Sequence, residues 1–298
     1  MPRSAVAIPG GAVEELSSEV SPYLKWAGSK RSLLHEILPR IPSKIHTYVE
    51  PFVGAGAVFF ALASEQPRRF ERALLSDVNP DLIATYHALQ TDVEGLLAHL
   101  HEHARRHDPT HYYVTRDVDP TTLSTWERAA RMIYLNKTCF NGLWRVNKSG
   151  KFNVPKGDHK NPKICNEPVL RAAAEALKHA VVTLNSFEPA IQAAGKGDFC
   201  YLDPPYMPSS KTSSFVSFAE GGFGPATQEK LADVALAATG RGCSVLASNA
   251  DVEVAVELYE SRGFKIERVD APGRIAASKE KRGERKEILA SKGGWGSS

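Results

Sequence analysis

The stretch Val49-Glu50-Pro51-Phe52-Val53-Gly54-Ala55-Gly56-Ala57-Val58-Phe59-Phe60 combines the apolar end of a strand, two glycines and the start of an apolar helix. A strand, a glycine turn and a helix in this order predict a Rossmann-like sheet, whose turn approaches a bound nucleotide closely. A dinucleotide fingerprint would place a third glycine at position 59, where this chain has Phe59. The pattern therefore favours a ligand that contains an adenosine and no phosphates over NAD.

A second apolar run, Leu74-Leu75-Ser76-Asp77, ends in an acid that lies 21 residues after Gly56, as 77 − 56 gives. An acid at about this distance is expected to accept hydrogen bonds from ribose hydroxyls. Asp77 could instead begin the helix cap at Asn79-Pro80-Asp81, and a GxG turn alone is weak evidence for a ligand. The turn, the acid and a later motif at residues 203–206 together favour the nucleotide interpretation.

That later motif is Asp203-Pro204-Pro205-Tyr206, which directly follows the apolar run Phe199-Cys200-Tyr201-Leu202. Two consecutive prolines restrict the backbone and remove donors, so the turn is stiff and the Pro204 carbonyl has a defined direction. Asp203 and that carbonyl could accept the two hydrogens of an exocyclic amine on a flat base, and Tyr206 could stack on the ring. The alternative is a Pro-Pro turn that closes a strand, with Asp203 as a turn residue and Tyr206 as packing.

Strands and helices alternate along the chain around a helical excursion. Apolar positions at three- and four-residue spacing predict one amphipathic helix over residues 82–100, and residues 126–135 predict another. Further strands are expected at 181–184, 199–202, 244–248 and 264–269, the last at an edge, with helices at 227–238 and 252–261. This alternation predicts an α/β fold with a Rossmann-like, mainly parallel sheet and an inserted helical domain.

We therefore expect three parts in the chain. Residues 1–21, rich in Ala, Gly, Ser and Glu, are predicted to be a flexible tail. Residues 22–80 and 166–298 are predicted to form one domain with the sheet, and residues 81–165 to form the insert. Both ligand motifs would then lie at carboxyl ends of strands, where open α/β sheets bind their ligands.

Charge is unevenly distributed. The net charge is only +3, but residues 131–163 hold eight basic residues against one acid, so this segment carries +7 and the remainder −4. The basic residues are Arg131, Lys137, Arg145, Lys148, Lys151, Lys156, Lys160 and Lys163. Such a segment predicts a surface for a polyanion, although lysines alone could form a solvated face. Residues 140–147 (FNGLWRVN) add an aromatic wedge, amides and an arginine, groups that read base edges, and so favour DNA.

Length and cysteine spacing exclude several other classes of protein. A chain of 298 residues is long enough for a full core, and no apolar stretch reaches the about 18 residues of a membrane span. The N-terminus lacks a basic start followed by an apolar core, so we do not expect secretion. The four widely spaced cysteines, at positions 139, 165, 200 and 243, form neither a zinc pattern nor a disulfide framework. We expect reduced thiols, a cytoplasmic location and no metal.

The motifs, taken in order, resemble those of the Dam-type DNA adenine-N6 methyltransferases (D12 class, alpha group), from Tyr23 to about Ser291. Leu24-Lys25-Trp26-Ala27-Gly28-Ser29-Lys30 is similar to the opening cofactor motif of the family, with Ser29 where a second glycine is usual. The resemblance implies a class I S-adenosylmethionine-dependent methyltransferase in which Asp203, Pro204, Pro205 and Tyr206 are catalytic. The residues that it implies for cofactor binding are Trp26, Ala27, Gly28, Lys30, Pro51, Phe52, Gly54, Gly56, Asp77 and Asp203. Without the family, Trp26 would be read as a core residue and Lys25 and Lys30 as a solvated face.

The basic segment in turn resembles the DNA-reading hairpin of that family, including Lys151-Phe152-Asn153-Val154-Pro155. By this resemblance Phe140 would insert into the duplex, and Lys25 would approach the first guanine of the site. The residues implied for DNA contact are Lys25, Phe140, Asn141, Leu143, Arg145, Asn147 and Pro155. Members with this hairpin commonly read GATC, which is the site we expect here.

These features predict a monomeric enzyme that acts on double-stranded DNA, associates with the nucleoid, and methylates the N6 amine of an adenine turned out of the duplex. Aspartate instead of serine at position 203 favours adenine over cytosine, judging from related families. The alternatives are an amine methyltransferase acting on RNA or on cytosine N4, and a catalytically inactive DNA-binding relative. The Ser- and Gly-rich segment 209–224 could order over the extruded base, and the basic stretch 274–286 could grip phosphate.

Overall fold

A computed structural model describes residues 21–147, 149–207, 223–271 and 285–293. The predicted tail at 1–20 therefore lies outside the described residues, as do residues 209–222 of the Ser- and Gly-rich segment and residues 274–284 of the second basic stretch. No described helix is both long enough and apolar enough to cross a membrane.

A single seven-stranded sheet forms the centre of the fold, with strand order β3-β2-β1-β4-β5-β7-β6. The strands are β1 (Ile45–Glu50), β2 (Phe70–Asp77), β3 (Ala180–Leu184), β4 (Phe199–Leu202), β5 (Ser244–Ala250), β6 (Lys265–Ala271) and β7 (Arg285–Lys292). The strands from β3 to β5 pair in parallel, whereas β7 is antiparallel to both β5 and β6. The predicted Rossmann-like, mainly parallel sheet is confirmed.

Helices cover both faces of this sheet. They are α1 (Leu34–Ile37), α2 (Ala57–Ala63), α3 (Pro80–Thr91), α4 (Val93–Arg105), α5 (Pro109–Asp117), α6 (Thr125–Thr138), α7 (Glu167–Leu177), α8 (Phe187–Ala193), α9 (Pro225–Gly240) and α10 (Glu253–Glu260). Neighbouring residues of β1 pack into different cores, Tyr48 into one and Val49 into the other. A strand buried on both faces in this way requires helical layers on both sides, as in other parallel sheets.

The single helix predicted over residues 82–100 is wrong, because the chain breaks at Asp92. Asp92 leaves helical geometry (φ −158°, ψ 88°), and its side chain accepts a hydrogen bond from the Gly95 amide to cap α4. A side chain at position 95 would meet that carboxylate at 2.4 Å, so the cap depends on Gly95. Apolar spacing continues through the break and hides the capping signal.

The sequence analysis also missed β7. Its residues 288–290 are buried, and the strand lies between β5 and the predicted edge strand β6. An edge position for β6 is therefore correct, but its neighbour is β7. Only three consecutive apolar residues mark β7 in a basic stretch, which is too little for periodicity to identify a strand.

Helices α3, α4, α5 and α6 form the helical excursion. Asn79 caps α3 by accepting hydrogen bonds from the amides of Asp81 and Leu82. The side chains of His87 and Gln90 on α3 also reach the backbone of β3, so this helix contacts the sheet as well as the helices that follow. The division of the chain at residues 81 and 166 remains a prediction.

Candidate active site and DNA interface

The carboxyl ends of three parallel strands place the predicted motifs at one edge of the sheet. β1 lies between β2 and β4, with Glu50 opposite Leu75 and Val49 opposite Cys200. The glycine turn follows β1, Asp77 ends β2, and Asp203 follows β4. In open α/β sheets this edge is where ligands bind.

The glycine turn packs tightly against Trp26. Gly54 has a φ of +49° and Gly56 a φ of +69°, a backbone conformation that favours glycine. A methyl group added at Gly54 would lie only 2.9 Å from the Trp26 ring, and one at Gly56 would lie 2.7 Å from the Tyr86 hydroxyl. Trp26 is 28 positions from Gly54 in the sequence, and the fold places its ring against this turn.

Asp77 is held by backbone donors on both of its oxygens. Oδ2 accepts from the Gly54 amide at 3.2 Å and Oδ1 from the Asn79 amide at 2.9 Å. Burial raises the pKa of Asp77 above its ordinary value, and the backbone hydrogen bonds oppose that rise. The Val78 amide is a third backbone donor to Asp77. Because a carboxylate has about four lone-pair positions, about one remains for a ribose hydroxyl. Val78, 71% exposed beside it, offers an apolar surface to a flat ring. These residues fit an adenosine without phosphates.

The remaining residues implied for cofactor binding lie around the same turn. Pro51 is buried, whereas Ala27 is exposed. Gly28 accepts a hydrogen bond from Lys30 through its carbonyl oxygen. Phe52 stacks on Phe187, with ring centroids 5.7 Å apart.

Lys30 and Asp203 form an ion pair at the start of the Asp203–Tyr206 turn. The Lys30 ammonium lies 2.7 Å from Oδ1 and 2.8 Å from Oδ2 of Asp203, although the two residues are 173 positions apart. Lys30 is only 6% exposed and also lies 4.8 Å from the centre of the Tyr206 ring. Lys30 is therefore not part of a solvated face. Its ammonium group holds both oxygens of the Asp203 carboxylate through a charge-assisted contact.

Three buried polar residues hold this turn, and the sequence analysis identified none of them. Gln228 on α9 donates to the Pro205 carbonyl at 2.6 Å, and Asn249 on β5 accepts from the Met207 amide at 3.0 Å. Glu287 on β7 accepts from the Tyr206 hydroxyl at 2.5 Å. Each comes from a different element, so no local sequence signal connects them to the motif.

Glu50, directly before the glycine turn, is a third acid at this edge of the sheet, after Asp77 and Asp203. It is 3% exposed and accepts a hydrogen bond from the Tyr48 hydroxyl at 2.9 Å. Burial raises the pKa of Glu50 to about 8, and the charge of Asp203 adds to the rise, while Tyr48 and Lys30 oppose it. Glu50 was part of the opening sequence motif but received no role there. The signal in the sequence that could have identified Glu50 was an acidic residue at the end of an apolar strand.

Six of the seven predicted DNA-contacting residues lie together on an exposed hairpin after α6, and the seventh, Lys25, lies in the segment before α1. Antiparallel bridges join Cys139 to Lys156 and Val146 to Phe152. Phe140 and Leu143 are 49% and 41% exposed, unusual for large apolar side chains, and Asn141 has a φ of +55°. This turn projects apolar and amide groups outward, as a wedge into a duplex requires.

The arms of the hairpin carry the other members of that set. Arg145, Asn147 and Pro155 are all exposed. Arg145 donates through Nε to Asn153 at 2.8 Å, which orients its guanidinium. The Asn147 side chain accepts from the backbone of Ser149 and Lys151, so its oxygen shapes the hairpin tip.

A basic cavity of about 330 Å³ adjoins the hairpin. It is lined by Lys25, Lys137, His159, Lys160, Asn161, Pro162, Lys163 and Asn166. Burial, together with the charge of Lys25, lowers the pKa of Lys137 to about 8. One residue of the predicted basic segment does not belong to this surface, since Arg131 is 3% exposed and donates to the carbonyls of Thr115 and Arg116. Including Arg131 in a polyanion surface was wrong, because α6 points it into the helical core.

Within the described residues one group of side chains has the composition of a metal site. Ligand atoms of His101, Cys165 and Glu167 lie within 4.8 Å of one another. Glu167 already pairs with His101 at 2.9 Å and with Arg171 at 3.1 Å. These ion pairs account for the arrangement, and we assign the group no part in the reaction.

Comparisons with known proteins show which sequences this chain resembles. A Type II methyltransferase, M1.LlaDCHI of Lactococcus lactis subsp. cremoris, is 37% identical over 90% of this chain and 94% of its own length. The Type II methyltransferase M.MjaIII of Methanocaldococcus jannaschii is 38% identical over 89% and 96%, respectively. A DNA adenine methylase of Haemophilus influenzae is 36% identical over 90% and 92%. The sequence profile of the D12 class N6 adenine-specific DNA methyltransferases matches residues 26–273, and the chain belongs to this family.

Proposed function

We propose that this enzyme methylates the N6 amine of the adenine in GATC sites of duplex DNA, after turning that adenine out of the helix. The observation that carries the proposal is the meeting of Asp203, Lys30 and the Pro204–Tyr206 turn at the sheet edge that also holds the glycine turn and Asp77. A base inside a duplex cannot reach such a cleft, so the reaction requires extrusion.

The cofactor of this methyltransferase family is S-adenosylmethionine, which supplies an electrophilic methyl group on a sulfonium. Asp77 would hold one of its ribose hydroxyls, and Trp26 with Gly54 and Gly56 would enclose its adenosine. The close contact of Trp26 and Gly54 supports this assignment, since the backbone can approach a ligand only where no side chain intervenes.

The target amine would lie against Asp203 and the Pro204 carbonyl. Each accepts one hydrogen of the amine, which draws the nitrogen toward tetrahedral geometry and directs its lone pair at the methyl group. Lys30 keeps the Asp203 carboxylate in place, and Tyr206 offers its ring to the base. Catalysis then comes mainly from positioning and from fixed electrostatics.

The hairpin and the basic cavity support duplex DNA as the substrate. Lysines around the cavity provide sequence-independent attraction to phosphates. Phe140 would occupy the gap left by the extruded base, while Leu143, Arg145 and Pro155 would contact base edges. GATC follows from the likeness of this hairpin to that of GATC-reading members of the family. We expect the enzyme to act as a monomer.

The test is to incubate the purified protein with S-adenosylmethionine and unmethylated plasmid DNA, and then to map the methylated adenines. Methylation at GATC supports the full proposal. Methylation confined to other sites would reject the specificity, and methylation of structured RNA in preference to duplex DNA would reject the substrate.

Asp203→Ala is the accompanying variant. Removal of one amine acceptor should lower the methylation rate by at least about a hundredfold, as loss of an oriented catalytic group commonly does. Circular dichroism should still show a folded protein, but the unfolding midpoint should fall, because the substitution leaves the buried Lys30 ammonium without its carboxylate partner. Normal turnover by this variant would remove Asp203 from the reaction.

A further inference from the structure

One fully buried amide joins the hairpin to the segment that carries Lys25 and Trp26. Asn136, on α6, is 0% exposed. Its oxygen accepts from the Lys25 amide at 2.8 Å, and its nitrogen donates to the Lys25 carbonyl at 2.7 Å and to the Gly142 carbonyl at 3.1 Å. The side chain thereby satisfies both backbone groups of Lys25 and one carbonyl of the exposed turn at 140–142.

The same turn also touches Lys25 directly. Gly142 has a φ of +64°, and a methyl group added there would lie 2.5 Å from Cδ and 2.9 Å from Cβ of Lys25. The absence of a side chain at position 142 therefore permits the close contact between turn and segment. Any displacement of the turn must be transmitted to Lys25 through this packing and through Asn136.

Trp26, the next residue, continues the connection into the cofactor site. Its ring lies against Gly54, and the Gly54 amide donates to Asp77. The apolar wedge and the predicted cofactor contacts are thus joined by an unbroken series of packed and hydrogen-bonded groups. Within this series Lys25 lies nearer the proposed DNA surface, and Trp26 lies nearer the proposed cofactor site.

We propose that Asn136 is a positioning residue that couples the binding of DNA to the binding of the cofactor. The proposal rests on the proposed function, because it requires both ligands to act on the segment at Lys25 and Trp26. Each ligand would contact one end of that connected segment, so a ligand that favours one position of the segment raises the affinity of the other ligand. Such coupling is reciprocal and commonly amounts to between about 5-fold and 150-fold in affinity.

The test measures the affinity of S-adenosylhomocysteine by calorimetry, with and without a short duplex that contains a mapped methylation site. The duplex is used at a concentration that saturates each variant. Two variants break the connection from opposite sides, Asn136→Ala by removing the amide and Gly142→Ala by pushing against Lys25. Gly150→Ala is the matched control, since Gly150 also has a positive φ (+75°) but nothing lies within 4 Å of an added methyl group.

We expect the duplex to increase the affinity of the wild-type protein at least about fivefold. This ratio should fall to near one in Asn136→Ala and Gly142→Ala and should persist in Gly150→Ala. A purely structural role would lower the unfolding midpoint and leave the ratio unchanged, which would overturn the proposal. If Asn136→Ala does not fold, Gly142→Ala decides the question alone.

Measurements on the wild-type protein distinguish failure of this inference from failure of the proposed function on which it rests. Methylation of DNA together with a ratio of one would contradict the coupling alone. A protein that neither binds nor methylates DNA would contradict the proposed function, and the coupling with it.

Discussion

Glu50 shows how a single buried group can make stability depend on pH. Burial raises the pKa of its carboxyl from the ordinary 4.5 to about 8. The folded state therefore keeps a proton that the unfolded chain releases, so unfolding becomes easier as the pH rises from about 4.5 to 8. The stability associated with protonated Glu50 is fully present below pH 4.5 and is lost by about pH 8.

Glu50→Gln should remove this pH dependence, because glutamine has the shape and polarity of the protonated acid. At pH 8.5 the variant should be more stable than the wild type by on the order of 4 kcal/mol. The difference should shrink toward zero at pH 5. Urea unfolding at both pH values measures it, and a difference that does not change with pH would contradict the raised pKa of Glu50.

Tyr206 has a hydroxyl that donates to Glu287 and a ring that we propose stacks on the base, and two substitutions can separate these contributions. Tyr206→Phe keeps the ring but removes the donor to Glu287, which is 8% exposed, so it should cost about 1–2 kcal/mol of stability. Tyr206→Ala also removes the stacking surface, worth about 1–3 kcal/mol per base, and should lower the methylation efficiency by about 5-fold to 150-fold. Steady-state kinetics and thermal unfolding of both variants distinguish the roles. Equal activity losses in the two would show that the hydroxyl, and not the ring, matters.

At the scale of elements, the sequence predicted best what is local. The strand, glycine turn and helix at 45–63 and the turn after β4 follow from adjacent residues. The contacts that hold the turn after β4 could not be predicted in this way, because Gln228, Asn249 and Glu287 lie 23, 42 and 81 positions from their hydrogen-bond partners. The order of the strands in the sheet decides which residues meet over such distances. The periodicity of apolar residues does not specify that order.

The glycine turn offers a test of cofactor binding at this scale. Gly54→Ala should raise the dissociation constant for S-adenosylhomocysteine at least about tenfold, because its methyl group would push Trp26 out of place. Gly197→Ala is the control, since Gly197 has a φ of +84° but only His46 Cβ, at 3.7 Å, near the added group. Both variants should lose about 1 kcal/mol or more from backbone strain. Equal affinity of the two variants in calorimetry would exclude Trp26 and Gly54 from the site.

At the scale of the whole molecule, charge is concentrated beside the hairpin. The protein as a whole has a net charge of only +3, yet four lysines line one cavity. The predicted consequence is DNA binding that weakens steeply with salt, since each neutralised phosphate releases counterions. This dependence belongs to the folded surface, because folding removes Arg131 from it and adds Lys25 from the other end of the chain.

Lys160→Ala and Lys163→Ala should each make the slope of log K against log salt shallower by about one. Lys178→Ala is the control, because Lys178 is 65% exposed but precedes β3, at the amino ends of the strands. Fluorescence anisotropy of a labelled duplex at several salt concentrations gives the slopes. An unchanged slope in both cavity variants would place the DNA elsewhere.

The reaction class followed from the resemblance of the sequence to a known family, and the sequence by itself determined the mainly parallel α/β fold and the positions of the central motifs. These depend on short-range chemistry: proline stiffness, glycine turns, and acids placed directly after strands. The tertiary structure decided the position of β7, the break at Asp92, the burial of Arg131, and the contacts of Lys30 and Asn136. Each of those depends on which distant segments become neighbours, because burial and long-range hydrogen bonds exist only once the sheet and its helices have assembled.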